Sequence, residues 1–196
     1  MIRDLFDQLL ALLGIIILLP FFILIAIWIL LDSPGGVFYV QERIGLNGEP
    51  FGLMKFRTMR PDSDKKGKLT VGDRDPRITT AGYFLRKFKL DELPQLINVL
   101  KGDMRFVGPR PEVAEYVNLY SPYQMKVLSV KPGITDYASL KYFKESELLA
   151  QSENPRQTYI DEIMPEKIRI NLEYIDRKSF AEDLKIIFKT VGRIFS

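Results

Sequence analysis

Neither cysteine nor histidine occurs in these 196 residues. Without cysteine there are no disulfides, thiol nucleophiles or thiolate zinc sites. Without histidine there are no imidazole metal ligands and no Ser-His-Asp triad. Acid–base and metal chemistry must therefore fall to carboxylates, lysine or tyrosine. A cysteine-free chain also fits the reducing, cytosolic side of a membrane. An excess of either charge is lacking as well. Lys and Arg number 28 against 25 Asp and Glu, a net +3 that is too small to argue for a nucleic-acid partner. There is no internal repeat and no low-complexity tract, and the length suits one domain plus a membrane element.

What is present is unevenly distributed. From Leu9 to Leu31 no residue is charged and nearly all are Leu, Ile, Phe, Ala or Trp. A straight helix over that run would be roughly 35 Å long, enough to cross a bilayer core of about 30 Å. The run is too long for a signal peptide, Arg3 is set against Asp4 and Asp7, and no small-x-small cleavage site follows. The segment is therefore expected to remain as an anchor. Pro20 at its middle removes a backbone donor and favours a kink. Two arrangements follow: a kinked single span, or a bent hairpin that enters one leaflet and returns. The flanking charges do not orient the segment by the positive-inside rule.

Asp32-Ser33-Pro34-Gly35-Gly36 ends the apolar run with turn chemistry, and Asn47-Gly48 between two strand-like segments signals a hairpin. The polar stretch from Arg60 to Arg77 reads as a loop beside the site. Helical periodicity begins near Thr80 and continues through Leu93, Leu96, Ile97 and Leu100, with Gly102 as a stop. Further helices are expected over Pro111–Tyr120, Pro122–Val130, Pro165–Ser179 and Phe180–Phe195, with Ile134–Tyr142 extended. The last helix carries Leu184, Ile187, Phe188, Val191 and Phe195 on one side, so it either faces a core or lies in the headgroup region.

The chemistry concentrates between Lys89 and Glu112, KLDELPQLINVLKGDMRFVGPRPE. Asp91 and Glu92 are adjacent carboxylates able to hold a divalent cation or to act as nucleophile and base. On a regular helix they would diverge by about 100°. Pro94, suited to a first helical turn, would place both at the amino end of Leu93–Leu100. Taken alone, the pair also reads as an ordinary N-cap, with Asp91 capping and Glu92 in solvent. Arg110 is bracketed by Pro109 and Pro111, with Gly108 before them. Such stiffness suits a guanidinium aimed at a phosphate, although a structural turn has the same signature. Lys55 and Arg57, and Arg86, Lys87 and Lys89, offer further phosphate partners.

The order of the motifs is an apolar N-terminus, QERIGLNGEPFGLMKFRTM, RKFKLDELPQLINVLKGDMRFVGPRPE, KPGIT and a final SFAEDLKIIFKTV. Across nearly the whole chain it resembles the bacterial sugar transferases known as small monotopic phosphoglycosyl transferases. The resemblance implies a mainly helical α+β enzyme. Residues 1–32 would form a re-entrant helix–break–helix in one leaflet. Residues 33–196 would form a catalytic domain with interfacial amphipathic helices on the cytoplasmic face of the bacterial inner membrane. It implies transfer of a sugar 1-phosphate from a UDP-sugar to polyprenyl (undecaprenyl) phosphate with release of UMP, as the first membrane step of glycoconjugate assembly. Asp91 would be the nucleophile and Glu92 its partner, with magnesium held at the two. Lys55, Arg86 and Arg110 would bind phosphate, and Asp183 matches a family acid with a more structural role. Partners would include the phospholipid membrane, downstream glycosyltransferases or a second copy of the chain, and no nucleic acid. A non-catalytic adaptor that binds nucleotide sugar and a nucleotide-sugar diphosphatase are the rival readings.

Three departures from the pattern stand out. Leu19 precedes Pro20 where small relatives often carry serine. Asp136–Phe143 replaces a Gly-Trp-Ala-Gln-Val-Asn-Gly-Arg pattern, so the donor sugar is not carried over. Asn171 stands where some relatives place an aspartate.

Overall fold

A computed structural model describes residues 2–61, 63 and 75–194. The architecture is α+β and mainly helical, and it is organised around helix α1, Ile2–Asp32. One side of α1 packs on the rest of the chain along its whole length. Asp7, Ala11, Ile15, Leu18, Phe22, Ile25 and Ile29 recur at three- and four-residue spacing on that side. The other side is almost entirely apolar and open, with Leu24 64% and Leu31 82% exposed.

The helix runs through Pro20 as one element, where the resemblance implies helix–break–helix. Proline's fixed φ is close to the helical value; its ring forfeits one hydrogen bond and crowds the carbonyl four residues back, which bends a helix without having to end it. Leu18 and Phe22, packed on either side of it, hold the two halves to the same body. Both ends of α1 are also tied by polar groups. Near the start, Asp7 Oδ2 accepts from Arg105 Nε at 2.7 Å and Gln8 Nε2 donates to Leu100 O at 3.2 Å. At the far end, Asp32 Oδ2 accepts from Ala81 N at 2.8 Å.

Strands β1, Phe38–Ile44, and β2, Pro50–Phe56, form the expected antiparallel hairpin. The turn is made by Asn47 and Gly48, both at positive φ, as an Asn-Gly pair allows. Of the loop expected over Arg60–Arg77, most lies outside the described residues. Its ends are held together by a bridge between Met59 and Ile78 and by Arg60 N donating to Arg77 O at 2.9 Å.

Helix α2, Thr80–Lys87, is capped by Thr79 Oγ1, which accepts from Gly82 N at 3.0 Å. The helical pattern breaks at Lys89, which takes the left-handed conformation. A 3₁₀ turn, Leu90–Glu92, then leads into α3, Gln95–Lys101. Gly102, at φ 87°, ends α3 where the sequence places a stop. Strand β3, Arg105–Val107, follows. The helix expected over Pro111–Tyr120 reduces to one turn, α4, Ala114–Val117, because Glu112 is held extended by Ile44 N donating to its carbonyl at 2.9 Å. The helix expected over Pro122–Val130 becomes a 3₁₀ segment, Gln124–Ser129.

Strand β4, Gly133–Thr135, pairs in parallel with β3. The extended segment expected over Ile134–Tyr142 is overturned after Thr135. Asp136 Oδ1 accepts from Ser139 N at 2.5 Å and caps helix α5, Tyr137–Lys141. Helices α6, Glu145–Ala150, and α7, Pro155–Thr158, fill a region to which sequence reasoning assigns no element. A π-helical turn, Tyr159–Ile163, leads into α8, Met164–Arg177. The final helix α9, Phe180–Ile194, buries Ile186 and exposes Phe188. The last position of the expected pattern, Phe195, lies outside the described residues.

Candidate active site

The left-handed turn at Lys89 redirects the chain so that Leu90 and Leu93, on either side of the acid pair, pack against the apolar cluster that Phe22, Ile25 and Ile29 of α1 form with Phe56 and Leu85. The two apolar residues join the cluster that also takes up one side of the long helix. Asp91 and Glu92 between them line a cavity of about 990 Å³. The pair is therefore not the N-cap of α3. No side-chain cap hydrogen bond is made there, and the carboxylates belong to the preceding 3₁₀ turn.

All five residues expected at the site, Asp91, Glu92, Lys55, Arg86 and Arg110, line this one cavity. Arg110 grips Glu92 with both guanidinium nitrogens: Nη1 donates to Oε2 at 3.1 Å and Nη2 to Oε1. Lys55 Nζ, reaching from β2, donates to the same Oε1 at 3.3 Å. Arg86 Nε donates to Thr58 Oγ1 at 2.9 Å, which anchors the guanidinium beside the dyad.

The two carboxylates are thereby made different. Burial works against ionisation of both. For Glu92 it is outweighed by Arg110 and Lys55, which hold its carboxyl well below the usual range. For Asp91 burial prevails over Lys55 and the carboxyl is pushed up. Burial lowers Lys55 and Arg86, while the Glu92 carboxylate raises Arg110. Asp91 is 6% exposed and its Oδ1 is a buried oxygen with no hydrogen-bond partner. A carboxylate left without donors among several cations suits attack on, or coordination near, an anionic phosphorus centre.

The loop bearing Arg110 is fixed from behind. Gly108 N donates to Thr135 O and Gly133 N to Pro109 O, each at 3.1 Å. A Cβ on Gly133 would stand 2.1 Å from Gly108 N, and one on Gly108 would stand 2.6 Å from Lys131 O. Only glycine permits these two segments to lie so close. Asp136, at 0% exposure, completes the lock. Its Oδ2 accepts from Arg110 N at 2.8 Å and from Asn171 Nδ2 at 3.0 Å.

Glu112 is held by a second network that sequence reasoning did not find. Arg43 Nη1 donates to Glu112 Oε1 at 3.1 Å and to Pro111 O at 3.0 Å, while Tyr159 OH donates to Glu112 Oε2. These partners come from β1, the Pro-Arg-Pro loop and the π-helical turn, so no local pattern announces them.

Other expectations are redistributed. Arg57 is not a phosphate partner: buried, it donates through Nη2 to Ser33 O at 2.8 Å and through Nη1 to Pro34 O, tying β2 to the end of α1. Lys87 and Lys89 line the cavity. Asp183 does not line it; its Oδ1 accepts from Tyr174 OH at 2.6 Å and its Oδ2 lies 4.0 Å from Arg3.

An α+β body thus gathers a carboxylate dyad, a lysine and two arginines in one cavity and leaves one side of a long helix apolar and open. The model of the bacterial sugar transferase family matches residues 1–196, and the chain belongs to that family. It is similar to the uncharacterized sugar transferase EpsL of Bacillus subtilis strain 168, with 42% identity over 81% of this chain and 69% of that protein. It is 38% identical to the UDP-glucose:undecaprenyl-phosphate glucose-1-phosphate transferase of Escherichia coli K12, over 96% of this chain and 39% of the relative. A UDP-N-acetylgalactosamine-undecaprenyl-phosphate N-acetylgalactosaminephosphotransferase of Aeromonas hydrophila is 35% identical over 97% of this chain and 43% of its own length. The chain thus spans about two-fifths of the length of these two named transferases.

Proposed function

We propose that the protein is a phosphoglycosyl transferase that moves a sugar 1-phosphate from a UDP-sugar to polyprenyl (undecaprenyl) phosphate through a covalent intermediate on Asp91. The observation that carries this reading is the contrast within the dyad. Glu92 is fully engaged by Arg110 and Lys55, whereas the buried Asp91 Oδ1 has no donor. In the first step an Asp91 oxygen bonds to the phosphorus bearing the sugar, the bond from that phosphorus to the bridging oxygen breaks, and UMP leaves. In the second, an oxygen of polyprenyl phosphate attacks the same phosphorus. The acyl-phosphate bond breaks, the carboxylate is restored and a polyprenyl diphosphate sugar forms. Lys55, Arg86 and Arg110 offset phosphoryl charge in both steps, and Glu92 fixes two of those cations.

Among the described residues there is no group of three side chains suited to hold a metal. Magnesium commonly takes one or two carboxylates and completes its shell with substrate phosphates and water, and the unpartnered Asp91 Oδ1 fits that demand. When bound, the ion would supply charge neutralisation on the diphosphate. Glu92 already accepts three hydrogen bonds, so its share in holding the ion is the smaller.

The membrane reading rests on α1. Residues 1–32 act as the membrane element and 33–196 as the catalytic domain. The polar ties at both ends of α1, Asp7 to Arg105 and Asp32 to Ala81, favour both ends lying on one side. A perpendicular span would carry the body packed along the helix into the lipid with it. We place the helix in one leaflet, re-entrant, with the body on the cytoplasmic face of the inner membrane and α9 in the headgroup region. Relatives named as exopolysaccharide production proteins support a role in polysaccharide biosynthesis; downstream glycosyltransferases or a second copy are the partners such a pathway would bring.

The test is UMP release across a panel of UDP-sugars, with and without polyprenyl phosphate and magnesium. Magnesium- and lipid-dependent turnover, a sugar-phosphate adduct on Asp91 with donor alone, and an inactive Asp91→Asn variant are expected. Full activity of that variant would remove Asp91 from its role. Continued, catalytic UMP release without lipid, beyond the amount set free on forming the adduct, would show a diphosphatase, and no turnover with any donor would leave an adaptor.

A further inference from the structure

The covalent reading requires a second phosphate at Asp91 after UMP has gone. At the dyad, Lys55 and Arg110 are engaged with Glu92. A different pair of cations stands at the rim of the same cavity. Lys89 takes φ 55° and ψ 20°, a left-handed conformation uncommon outside glycine and asparagine. From there its ammonium lies 5.1 Å from the centre of the Phe143 ring. The guanidinium of Arg193, on the last turns of α9, lies 5.5 Å from the centre of the same ring. Lys89, Phe143 and Arg193 all line the cavity, together with Thr135 and Thr190, whose hydroxyls meet at 2.7 Å. An aromatic face orients a cation, and strained backbone gathers where function demands a fixed direction.

The position of this rim identifies its ligand. On α9 the exposed Phe180, Leu184, Phe188 and Val191 follow one another at three- and four-residue spacing. Ile186 is buried, and Thr190 and Arg193 point into the cavity from the other side. Phe180 meets Phe6 of α1 edge to face, with centroids 5.6 Å apart, so the open apolar faces of α9 and α1 adjoin. The cavity that the cation pair lines is thus bounded by α9, the helix whose other side presents the open apolar face. Resting on the covalent reading, we propose that Lys89 and Arg193, braced on Phe143, receive the phosphate monoester of the lipid acceptor, apart from the cations that serve the donor diphosphate.

The test uses the full chain inserted in phosphatidylcholine nanodiscs, where attachment is complete and the headgroups carry no net charge. Undecaprenyl phosphate and a UDP-sugar turned over by the wild type are varied in turn. Arg193→Gln and Lys89→Gly are each expected to raise the KM for undecaprenyl phosphate at least tenfold more than the KM for the donor. Lys89→Gly removes the ammonium while relieving the left-handed backbone, and a thermal melt of the variant separates a loss of acceptor binding from a folding defect. Chasing a preformed Asp91 adduct with acceptor should show the same loss. Equal rises in both KM values, or an unmoved acceptor KM in both variants, would overturn the proposal, the former by showing that the acceptor uses the position vacated by UMP. If the wild type forms lipid product with no adduct, the covalent reading fails, and the ratio of the two KM effects still decides the rim site.

Discussion

Asp136 holds Arg110 by its backbone rather than by its charge: the Arg110 N–H donates to Asp136 Oδ2 at 2.8 Å, while the guanidinium turns the other way to Glu92. The same carboxylate also accepts from Asn171 and from Ser139, so three donors meet two acceptor oxygens.

An amide cannot satisfy all three donors, because one of its two positions is itself a donor. Asp136→Asn is expected to lose about 1–3 kcal/mol of stability and to lower kcat/KM for the donor by roughly tenfold or more, since a small misplacement of a phosphate clamp is costly. Denaturant titration and donor kinetics check this. Asn171→Ala keeps both carboxylate oxygens available to Arg110 and Ser139 and should lose less activity. An Asp136→Asn variant with wild-type donor kinetics would show that the hydrogen bond does not position Arg110.

The adjacent carboxylates should respond to neutralisation with opposite signs. Asp91 is raised in the folded protein, so its ionisation opposes folding above the ordinary carboxylate range. Asp91→Asn should raise Tm by a few degrees near pH 7, with the gain disappearing as pH falls towards the ordinary aspartate value. Glu92 is lowered, so its stabilising contribution is present above its ordinary pKa and is lost as pH falls through the folded value. Glu92→Gln should destabilise near pH 7 by about 3 kcal/mol, because it leaves Arg110 and Lys55 without their anion. Thermal melts from pH 3 to 8 decide both, and equal shifts of one sign would refute the asymmetry.

The close crossing behind Arg110 makes a steric prediction. Gly133→Ala sets a methyl group 2.1 Å from Gly108 N and should cost about 3 kcal/mol or more, since backbone on backbone has no side chain to yield. Gly48→Ala meets nothing within 4 Å and should cost only about 1 kcal/mol for its positive φ. Urea unfolding of the two variants measures the gap.

At Lys89 stability and chemistry should part company. Glycine relieves the left-handed backbone, so Lys89→Gly is expected to gain about 1 kcal/mol while losing acceptor turnover. A fall in Tm would mean that the side chain contributes more to the fold than the conformation costs.

The two sides of α1 should answer to different assays. Ile17→Gln and Leu24→Gln, on the open side, should weaken retention in membranes and leave the fold intact. Ala11→Leu, at 0% exposure against Leu96 and Val99, should lower Tm with little change in membrane retention. Membrane fractionation and melts of solubilised protein separate the two.

The sequence was most readable where structure is periodic or punctuated. The Asn47-Gly48 hairpin, the stop at Gly102 and the long helices α8 and α9 follow from local spacing. It was least readable where one side chain decides a distant matter. Asp136 converts an apparently extended segment into a capped helix and also fixes Arg110. Glu112, an ordinary acid after Pro111, spends its side chain on Arg43 and Tyr159 instead of starting a helix. Arg57, spaced like a phosphate ligand beside Lys55, is instead consumed by the carbonyls of Ser33 and Pro34. Spacing reveals which side chains are available, but only the packed chain reveals which of them are already committed.

The shared apolar cluster that joins Leu90 and Leu93 to Phe22, Ile25 and Ile29 through Phe56 and Leu85 has a mechanical meaning. On the proposed membrane reading, Asp91 and α1 move as one piece, with no tether between them to take up slack. Any change that lifts or sinks the helix, such as a thicker bilayer or bulkier headgroups, shifts Asp91 by the same amount relative to the phosphates it must reach. Turnover should therefore follow the depth at which the protein floats.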